Sequence, residues 1–187
     1  MLQKVIDIDL DRDRAIKDLY YYSRQVEFLG EVRSNESGWQ SGIGMNCMQH
    51  MTWLSGLVDD ILREGLIFME YLKPKFPTDS VSLKMWANIN STNDMNKKHE
   101  HMPDMASADF PVLSGVYYLS KPENSGELFF ETQDSLYKRL YKHPLDEIVN
   151  VKEGQAVFFL PCVKHSVQTN LSEDDRISIA FNFTIDQ

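Results

Sequence analysis

The strand-rich second half of the chain constrains the fold more than any other feature. After Asp79, short runs rich in β-branched and aromatic residues alternate with turn signals, from VSLKMWANIN (81–90) to RISIAFNFTI (176–185). Short strands at this density are typical of a sandwich or a barrel. No helical pattern separates them regularly, which disfavours a doubly wound parallel sheet. The pattern predicts a jelly roll.

Two helical patterns precede these strands. Apolar residues recur at helical spacing over residues 11–29 and again over 48–72, and the two prolines of KPKFP (73–77) should end the second helix. A chain of 187 residues can bury one substantial core. The sequence therefore predicts a mainly β fold with N-terminal helices packed on one outer face of the sheet.

We expect a single domain over residues 1–187. Within it, residues 1–78 should form a helical support region and residues 79–187 the jelly-roll core. The helical face of residues 48–72 is predicted to cover the sheet or, alternatively, to serve as the surface of a homodimer.

Composition and charge exclude several classes of partner. The formal net charge is −9 and lysine and arginine form no block, so we expect no binding to nucleic acid. The first residues are charged where a signal peptide would be apolar, and no run approaches the roughly 20 apolar residues of a membrane span. The two cysteines form no paired motif. These features predict a cytoplasmic protein without a membrane partner.

The stretch NKKHEHMPD (96–104) carries two of the five histidines. In an extended segment, His99 and His101 would lie on one face and Glu100 on the other, so the pair could bind one metal ion. A charged surface loop is the alternative. A third ligand would decide between the two interpretations.

Three further histidines compete for the position of third ligand. His165 follows the apolar strand QAVFFLP and precedes another strand, where the end of a jelly-roll strand reaches the barrel mouth. His50 lies in a helical pattern and His143 in a polar excursion, so solvent exposure is the simpler interpretation for both. His165 is the better candidate.

Arg176 begins the last predicted strand, eleven residues after His165. By strand alternation it shares a face with Ser178, and an inward guanidinium in an apolar strand is costly unless it meets an anion. Its planar fork suits a carboxylate, and the serine hydroxyl can add one hydrogen bond. An internal salt bridge to a protein carboxylate is the alternative.

Together these motifs resemble the Fe(II)- and 2-oxoglutarate-dependent oxygenases. The order His-x-His, distal His and Arg-x-Ser is similar to that superfamily, and in particular to a prolyl-hydroxylase-like branch found in marine bacteria and their phages. The segments that carry the resemblance are GWQSG (38–42), WANIN (86–90), LSGVYYL (113–119), SGELFFE (125–131) and RISIAFNF (176–183). If phage-encoded, the protein would act in the host cytoplasm.

The resemblance implies a double-stranded β-helix with Fe(II) held by His99, His101 and His165. It further implies that 2-oxoglutarate chelates the iron, that O2 is the oxidant, and that the C5 carboxylate of 2-oxoglutarate binds Arg176 and Ser178. Four other positions follow by the same resemblance: Tyr118 as a hydrogen-bond donor to this carboxylate, Tyr117 on the opposite, packed face, and Asn88 and Asn90 as further co-substrate contacts.

The motif departs from the common pattern at one ligand. Most of the superfamily carries a carboxylate where this chain has His101, and the related branch reads His-x-His-Pro, whereas Met102 is inserted here. Three neutral imidazoles would leave the full double charge on the metal. We predict a three-histidine site, with Asp104 or Glu100 as the alternative source of a carboxylate ligand.

The predicted activity is that of a hydroxylase-type dioxygenase that releases succinate and CO2. The substrate would be a small molecule or a peptide, and the polar excursion ETQDSLYKRLYKHPLDE (131–147) would be a lid that offers Tyr137, Arg139 and Tyr141. A decorated surface loop is the alternative there. Two other functions remain open: a non-catalytic metal-binding jelly roll and a cupin-like three-histidine dioxygenase without 2-oxoglutarate.

Overall fold

The computed structural model describes residues 3–25, 37–42, 51–74, 78–102, 109–131 and 147–186. Several predicted features lie outside the described residues. They are the carboxylate of Asp104, the competing histidines His50 and His143, and nearly all of the predicted lid, including Tyr137, Arg139 and Tyr141.

Two helices and ten strands make up the described chain. In chain order they are β1 (Gln3–Asp7), α1 (Arg12–Gln25), β2 (Trp39–Gln40), α2 (Thr52–Leu72), β3 (Val81–Asn90), β4 (Asn96–His99), β5 (Asp109–Ser120), β6 (Leu128–Glu131), β7 (Glu147–Val149), β8 (Gln155–Phe159), β9 (Lys164–Val167) and β10 (Arg176–Asp186), with a short 3-10 turn at Thr78–Ser80 before β3.

The strands form two antiparallel sheets. The larger sheet has six strands in the order β1-β8-β5-β10-β3-β2, and the smaller has four in the order β4-β9-β6-β7. All pairings between the described strands are antiparallel. The longest are those of β10 with β3 and β5 at the centre of the large sheet. This is the predicted mainly β jelly roll, which the structure confirms.

Both helices pack on the outer face of the large sheet, as predicted. α2 buries Leu57, Ile61 and Phe68, which recur at helical spacing and so lie on one stripe. Each buried side chain of this size contributes about 1.5–3 kcal/mol through the area that it removes from water. Gly65 lets the helix approach the sheet closely, because a Cβ atom there would lie 2.2 Å from the Phe183 ring.

The end of α2 is set by the backbone conformation of Lys73 and by the proline that follows it. Lys73 adopts a left-handed conformation with φ of 51° and its N–H donates to the carbonyl oxygen of Glu70. Pro74 follows and cannot continue the helix. The predicted prolines therefore do end the second helix, and its observed part begins at Thr52.

Side chains of β10 alternate between two environments. Ile177, Ile179 and Phe181 face the helices and belong to the main apolar core. Arg176 and Ser178 take the other parity and point between the sheets, as the alternation predicts. The same alternation separates the two tyrosines of β5.

A second apolar cluster fills the space between the sheets. Tyr118 belongs to this cluster, whereas Tyr117 belongs to the core beneath the helices, as predicted. The other buried members of the second cluster are Leu128, Phe130, Val149, Val151, Val157, Phe159 and Val163.

The description of residues 1–78 as a helical support region is incomplete. β1 pairs with β8, and β2 pairs with β3, so the large sheet takes both of its edge strands from this part of the chain. The sequence hides them because β1 has only five residues, two of them charged, and β2 has two. Edge strands of this kind carry little hydrophobic periodicity. None of the described helices is long and apolar enough to span a membrane.

Candidate metal centre and adjoining cavity

His99 and His165 face one another across the small sheet. His99 ends β4, His165 lies in β9, and their Cα atoms are paired in the antiparallel register. Directly opposed residues of an antiparallel pair project to the same side of the sheet. The ring centroids of the two imidazoles are accordingly 4.2 Å apart.

His101 joins this pair from the segment after β4. Its backbone N–H donates to the carbonyl oxygen of Pro161 at 2.9 Å, which ties the segment to the turn before β9. The Nε2 atoms of His101 and His99 are 3.3 Å apart. The structure thus brings together the three histidines that the sequence singles out, and their candidate ligand atoms lie within 4.8 Å of one another.

Each of the three imidazoles presents its Nδ1 atom to an oxygen. The Nδ1 atom of His99 lies 2.7 Å from the carbonyl oxygen of Lys97, and that of His165 lies 2.8 Å from the carbonyl oxygen of Val163. A carbonyl oxygen only accepts, so Nδ1 carries the proton in both rings. The lone pair of each Nε2 atom is then free for a metal ion.

The third imidazole has side-chain partners instead of a carbonyl oxygen. The Nδ1 atom of His101 lies 2.8 Å from Oδ1 of Asn182 and 2.9 Å from Oγ of Ser114. The Ser114 hydroxyl also donates to Oδ1 of Asn182 at 2.8 Å. Ser114 and Asn182 are paired in the register of β5 and β10.

Burial keeps the cluster uncharged. Desolvation lowers the pKa of His101 to about 4, assisted by the charge of His99. Desolvation also lowers the pKa of His99 and, with the charges of the two other histidines, lowers the pKa of His165 well below its ordinary value. Neutral imidazole is the form that coordinates a metal, so the site is ready to bind one near neutral pH.

This donor set fits a first-row divalent metal ion. Two nitrogens that each lie about 2.1 Å from one ion at a right angle are roughly 3 Å apart, close to the separation of the His99 and His101 Nε2 atoms. Imidazole is a ligand that iron accepts. Within the described ranges the metal-ligand group contains three histidines and no carboxylate. Glu100 is exposed.

A narrow cavity extends from the histidines between the two sheets. Its volume is about 50 Å³. The aromatic rings of Trp86 and Phe159 form part of its wall, with centroids 5.9 Å and 6.1 Å from that of His101. The remaining lining residues are Asn88, Asn96, His99, Gly115, Val116, Tyr118, Leu128, His165, Val167, Arg176, Ser178 and Ala180.

Arg176 is a buried cation on the wall of this cavity. The side chain is only 1% exposed. Its guanidinium donates to the carbonyl oxygens of Ser125 and Gln168 and to Oδ1 of Asn96. No carboxylate among the described residues forms a salt bridge with it. The predicted alternative of an internal salt bridge is therefore not what these residues form.

Backbone geometry supports the position of this guanidinium. Gly126 has a φ of 89°, and a Cβ atom there would lie 2.2 Å from the carbonyl oxygen of Gln168 and 2.9 Å from Nη1 of Arg176. Only glycine allows the chain to pass so close to both groups. Burial lowers the pKa of Arg176, but guanidinium remains protonated in proteins.

Tyr118 adds a buried hydroxyl that lacks a partner. The residue is 1% exposed, and its hydroxyl has no hydrogen-bond partner in the described part of the chain. Burial raises the pKa of Tyr118 to about 12, so it remains a neutral donor. A buried hydroxyl without a partner is costly, and a bound anion would satisfy both this donor and the cation of Arg176.

Ser178 and Asn88 complete a row across three strands. Ser178 is the register partner of Asn88 on β3 and of Tyr118 on β5, and all three side chains line the cavity. Asn90 is not among the lining residues. Its side-chain nitrogen approaches the carbonyl oxygen of Ser37, and its own carbonyl oxygen accepts from Asn170.

Three further polar residues contact the site but were not predicted from the sequence: Asn182, Ser114 and Asn96. Asn182 had a usable signal, because it follows Arg176 and Ser178 at even spacing on β10 and therefore faces the same side. Ser114 had the same signal, because it lies at even spacing from Tyr118 on β5, whereas the role of Asn96 depends on pairing between strands that are distant in sequence.

Comparison with known proteins identifies the class. The family model described as "putative 2OG-Fe(II) oxygenase" matches residues 84–182, more than half of the chain. The chain belongs to this family, which confirms the predicted resemblance. No curated protein matches the sequence significantly.

Solved structures share the fold at low sequence identity. A Pseudomonas putida prolyl-4-hydroxylase has a TM-score of 0.68 and 16% identity, with 97% of this chain and 91% of that one covered. For the viral collagen prolyl hydroxylase of Paramecium bursaria Chlorella virus-1, in complex with 2-oxoglutarate, the TM-score is 0.66, the identity 14%, and the coverage 99% and 97%.

A third neighbour catalyses a different reaction on this fold. It is the non-heme α-ketoglutarate-dependent carbocyclase of nogalamycin biosynthesis, with a TM-score of 0.66, 13% identity, and 98% and 79% of the two chains covered. The likenesses establish the jelly-roll fold of 2-oxoglutarate oxygenases. Family membership implies Fe(II) and 2-oxoglutarate as cofactors, and the three histidines fit the metal.

Proposed function

We propose that this oxygenase is a hydroxylase-type dioxygenase that uses Fe(II), 2-oxoglutarate and O2. The observation that carries the proposal is one cavity with three converging imidazole Nε2 atoms at one position and, at another, a buried arginine that forms no salt bridge with any described carboxylate. In the proposed reaction one oxygen atom of O2 enters succinate, the other enters the substrate, and CO2 leaves 2-oxoglutarate.

His99, His101 and His165 are the proposed metal ligands. The bound metal would supply the site at which O2 and 2-oxoglutarate react. The protein contributes Nε2 lone pairs fixed by hydrogen bonds at each Nδ1 atom, which limits the reorganisation needed on binding. Because the three ligands are neutral, the dianionic co-substrate would offset the double positive charge of the metal.

Arg176, Tyr118 and Ser178 are the proposed receptor for the C5 carboxylate of 2-oxoglutarate. The guanidinium would supply the charge, and the hydroxyls of Tyr118 and Ser178 would add hydrogen bonds from both sides. Asn88 lines the same row and is proposed as a further contact. Asn90 is not part of this proposal, because it does not line the cavity.

The substrate is proposed to be a small molecule or a peptide that reaches the metal past Trp86 and Phe159. These two rings form the aromatic part of the cavity wall next to His101. Hydroxylation is proposed as the outcome, since two of the three neighbours described above, with TM-scores of 0.68 and 0.66, are prolyl hydroxylases.

A succinate assay tests the proposal. Purified protein is incubated with Fe(II), 2-oxoglutarate and O2, and succinate is measured with and without chelator. We expect succinate that depends on Fe(II) and disappears in the His165→Ala variant. Metal binding without 2-oxoglutarate binding would support a non-catalytic jelly roll or a cupin-like three-histidine dioxygenase instead, and would contradict the proposal.

A further inference from the structure

The three histidines differ in what holds them. His99 and His165 are anchored by backbone carbonyl oxygens of residues two positions earlier, on their own strand or in the adjoining turn. Such partners are present whatever the side chains are. His101 is instead anchored by two side chains from the opposite sheet, Asn182 of β10 and Ser114 of β5. Its orientation therefore depends on residue identity.

Three atoms behind His101 form a closed triangle. Nδ1 of His101, Oγ of Ser114 and Oδ1 of Asn182 are separated by 2.8–2.9 Å on every side. The amide oxygen only accepts, so it can take one proton from Nδ1 and one from the serine hydroxyl. With this arrangement the proton of the imidazole is on Nδ1 and the Nε2 lone pair faces the other two histidines.

The opposite tautomer is disfavoured by the same triangle. If Nε2 carried the proton, the lone pair of Nδ1 would face the amide oxygen of Asn182 at 2.8 Å. Two acceptors at this distance repel. The free lone pair of His99 Nε2, 3.3 Å away, would accept a proton from Nε2 of His101, so the acceptor behind Nδ1 is the group that favours the metal-binding tautomer. The polar dyad of Ser114 and Asn182 thus selects the tautomer that can bind a metal.

We propose that Asn182, supported by Ser114, is the positioning residue that presents Nε2 of His101 as the third metal ligand. This inference rests on the proposed function, because it takes the three-histidine group as the metal site. It explains how this chain uses an imidazole where most relatives use a carboxylate. A neutral ring coordinates a metal only when the coordinating nitrogen carries no proton. The dyad meets this condition by accepting the proton of Nδ1.

Histidine NMR on the metal-free protein tests the proposal without catalysis. Long-range 1H–15N correlations report which imidazole nitrogen carries the proton, and a His101→Gln variant assigns the His101 signals. We expect the Nδ1–H tautomer in the wild type and in Asn182→Asp, whose carboxylate also accepts. Asn182→Leu should shift His101 toward the Nε2–H tautomer, while His99 and His165 should not change.

Nickel titration by calorimetry provides the second measurement. Because loss of a second-shell partner typically costs 10–100-fold in metal affinity, Asn182→Leu should weaken Ni(II) binding by about that factor and Asn182→Asp should restore it. Thr184→Val is the matched control. Thr184 is buried on the same strand, its hydroxyl bonds to that of Ser82, and it is not a hydrogen-bond partner of His101, so affinity should be unchanged.

The outcomes separate this proposal from the proposed function. An unchanged His101 tautomer in Asn182→Leu, or an equal loss of Ni(II) affinity in Thr184→Val, would overturn the positioning role. If the tautomer and the affinity shift as expected but the wild type forms no succinate, the positioning role holds and the proposed oxygenase reaction fails.

Discussion

The two ends of the cavity differ in how completely the protein satisfies its own polar groups. At the histidine end, every Nδ1 atom has an oxygen partner within 2.9 Å. At the arginine end, the Tyr118 hydroxyl has no partner in the described structure, and Arg176 lacks a carboxylate. The histidine end presents lone pairs that suit a cation, whereas the arginine end holds a buried cation and a buried hydroxyl that an anion would satisfy.

This difference has a physical reason. Neutral imidazoles can be buried at low cost once Nδ1 has an acceptor. The protein can therefore fix the orientation of these rings before a metal ion binds. A buried cation and a buried hydroxyl without a partner cost more, and that cost is recovered when the correct anion binds. The same contrast predicts which variants impair metal binding and which impair co-substrate binding.

The largest expected effect is on the histidine end. His165→Ala removes one of three ligands and should lower metal affinity by more than about 100-fold, beyond the range for a second-shell partner. Calorimetry with Ni(II) or Mn(II) measures it. His50→Ala and His143→Ala, the alternatives that the sequence offers, are the comparison and should bind metal normally. A loss in either of them would show that the ligand set is wrong.

Arg176→Ala should weaken the binding of 2-oxoglutarate and leave metal binding nearly unchanged. Hydrogen bonds to charged groups contribute about 1.5–3 kcal/mol each, so loss of the fork should weaken 2-oxoglutarate binding by roughly 100-fold. Metal affinity should stay within about twofold, because the partners of the guanidinium among the described residues include no histidine. Both are measured by calorimetry under anaerobic conditions, with thermal melting as the check on folding. Loss of metal binding would contradict the assigned role.

The two adjacent tyrosines form a matched pair for a smaller effect. Both hydroxyls are buried without a partner among the described residues, but Tyr118 faces the cavity and Tyr117 the helices. Tyr118→Phe should weaken 2-oxoglutarate binding about tenfold, one hydrogen bond to a charged group. Tyr117→Phe should have no effect on it. Neither variant should lower the melting temperature of the ligand-free protein, and equal effects on affinity would remove Tyr118 from the receptor.

An effect of a different kind is on stability at low pH. The unfolded chain takes up a proton on His101 below its ordinary pKa of 6.5, whereas the folded chain does so only at about 4. Stability that is present above pH 6.5 is therefore lost as pH falls toward 4, by roughly 3 kcal/mol for this group. Denaturant unfolding of metal-free wild type and His101→Gln measures it. The variant should lose less stability over this window, and parallel curves would contradict the shift.

The polar residues on a single element were the part of the site that the sequence could predict. Strand alternation places His99 and His101 on one face at the end of β4. It also places Arg176 and Ser178 on one face of β10. The same rule places Tyr117 and Tyr118 on opposite faces, and the resemblance implies that Tyr118 is the one that faces the co-substrate. The fold class also follows, because strand density and the order of helices and strands are local features.

Contacts between elements could not be predicted in this way. The pairing of His99 with His165 and of Ser114 with Asn182 depends on register between strands far apart in sequence. β1 was missed because a five-residue edge strand with charged residues carries no periodic signal. Strand alternation alone leaves Arg176 with two roles, an anion receptor and an internal salt bridge, and the described residues form no such salt bridge.

A crystal structure with Mn(II) and 2-oxoglutarate would locate both the metal ion and the co-substrate. We predict a metal ion on the Nε2 atoms of His99, His101 and His165, with the C5 carboxylate against Arg176 and the Tyr118 hydroxyl. A metal ion held by the carboxylate of Asp104 or Glu100 in place of His101, or 2-oxoglutarate bound away from Arg176, would contradict the account.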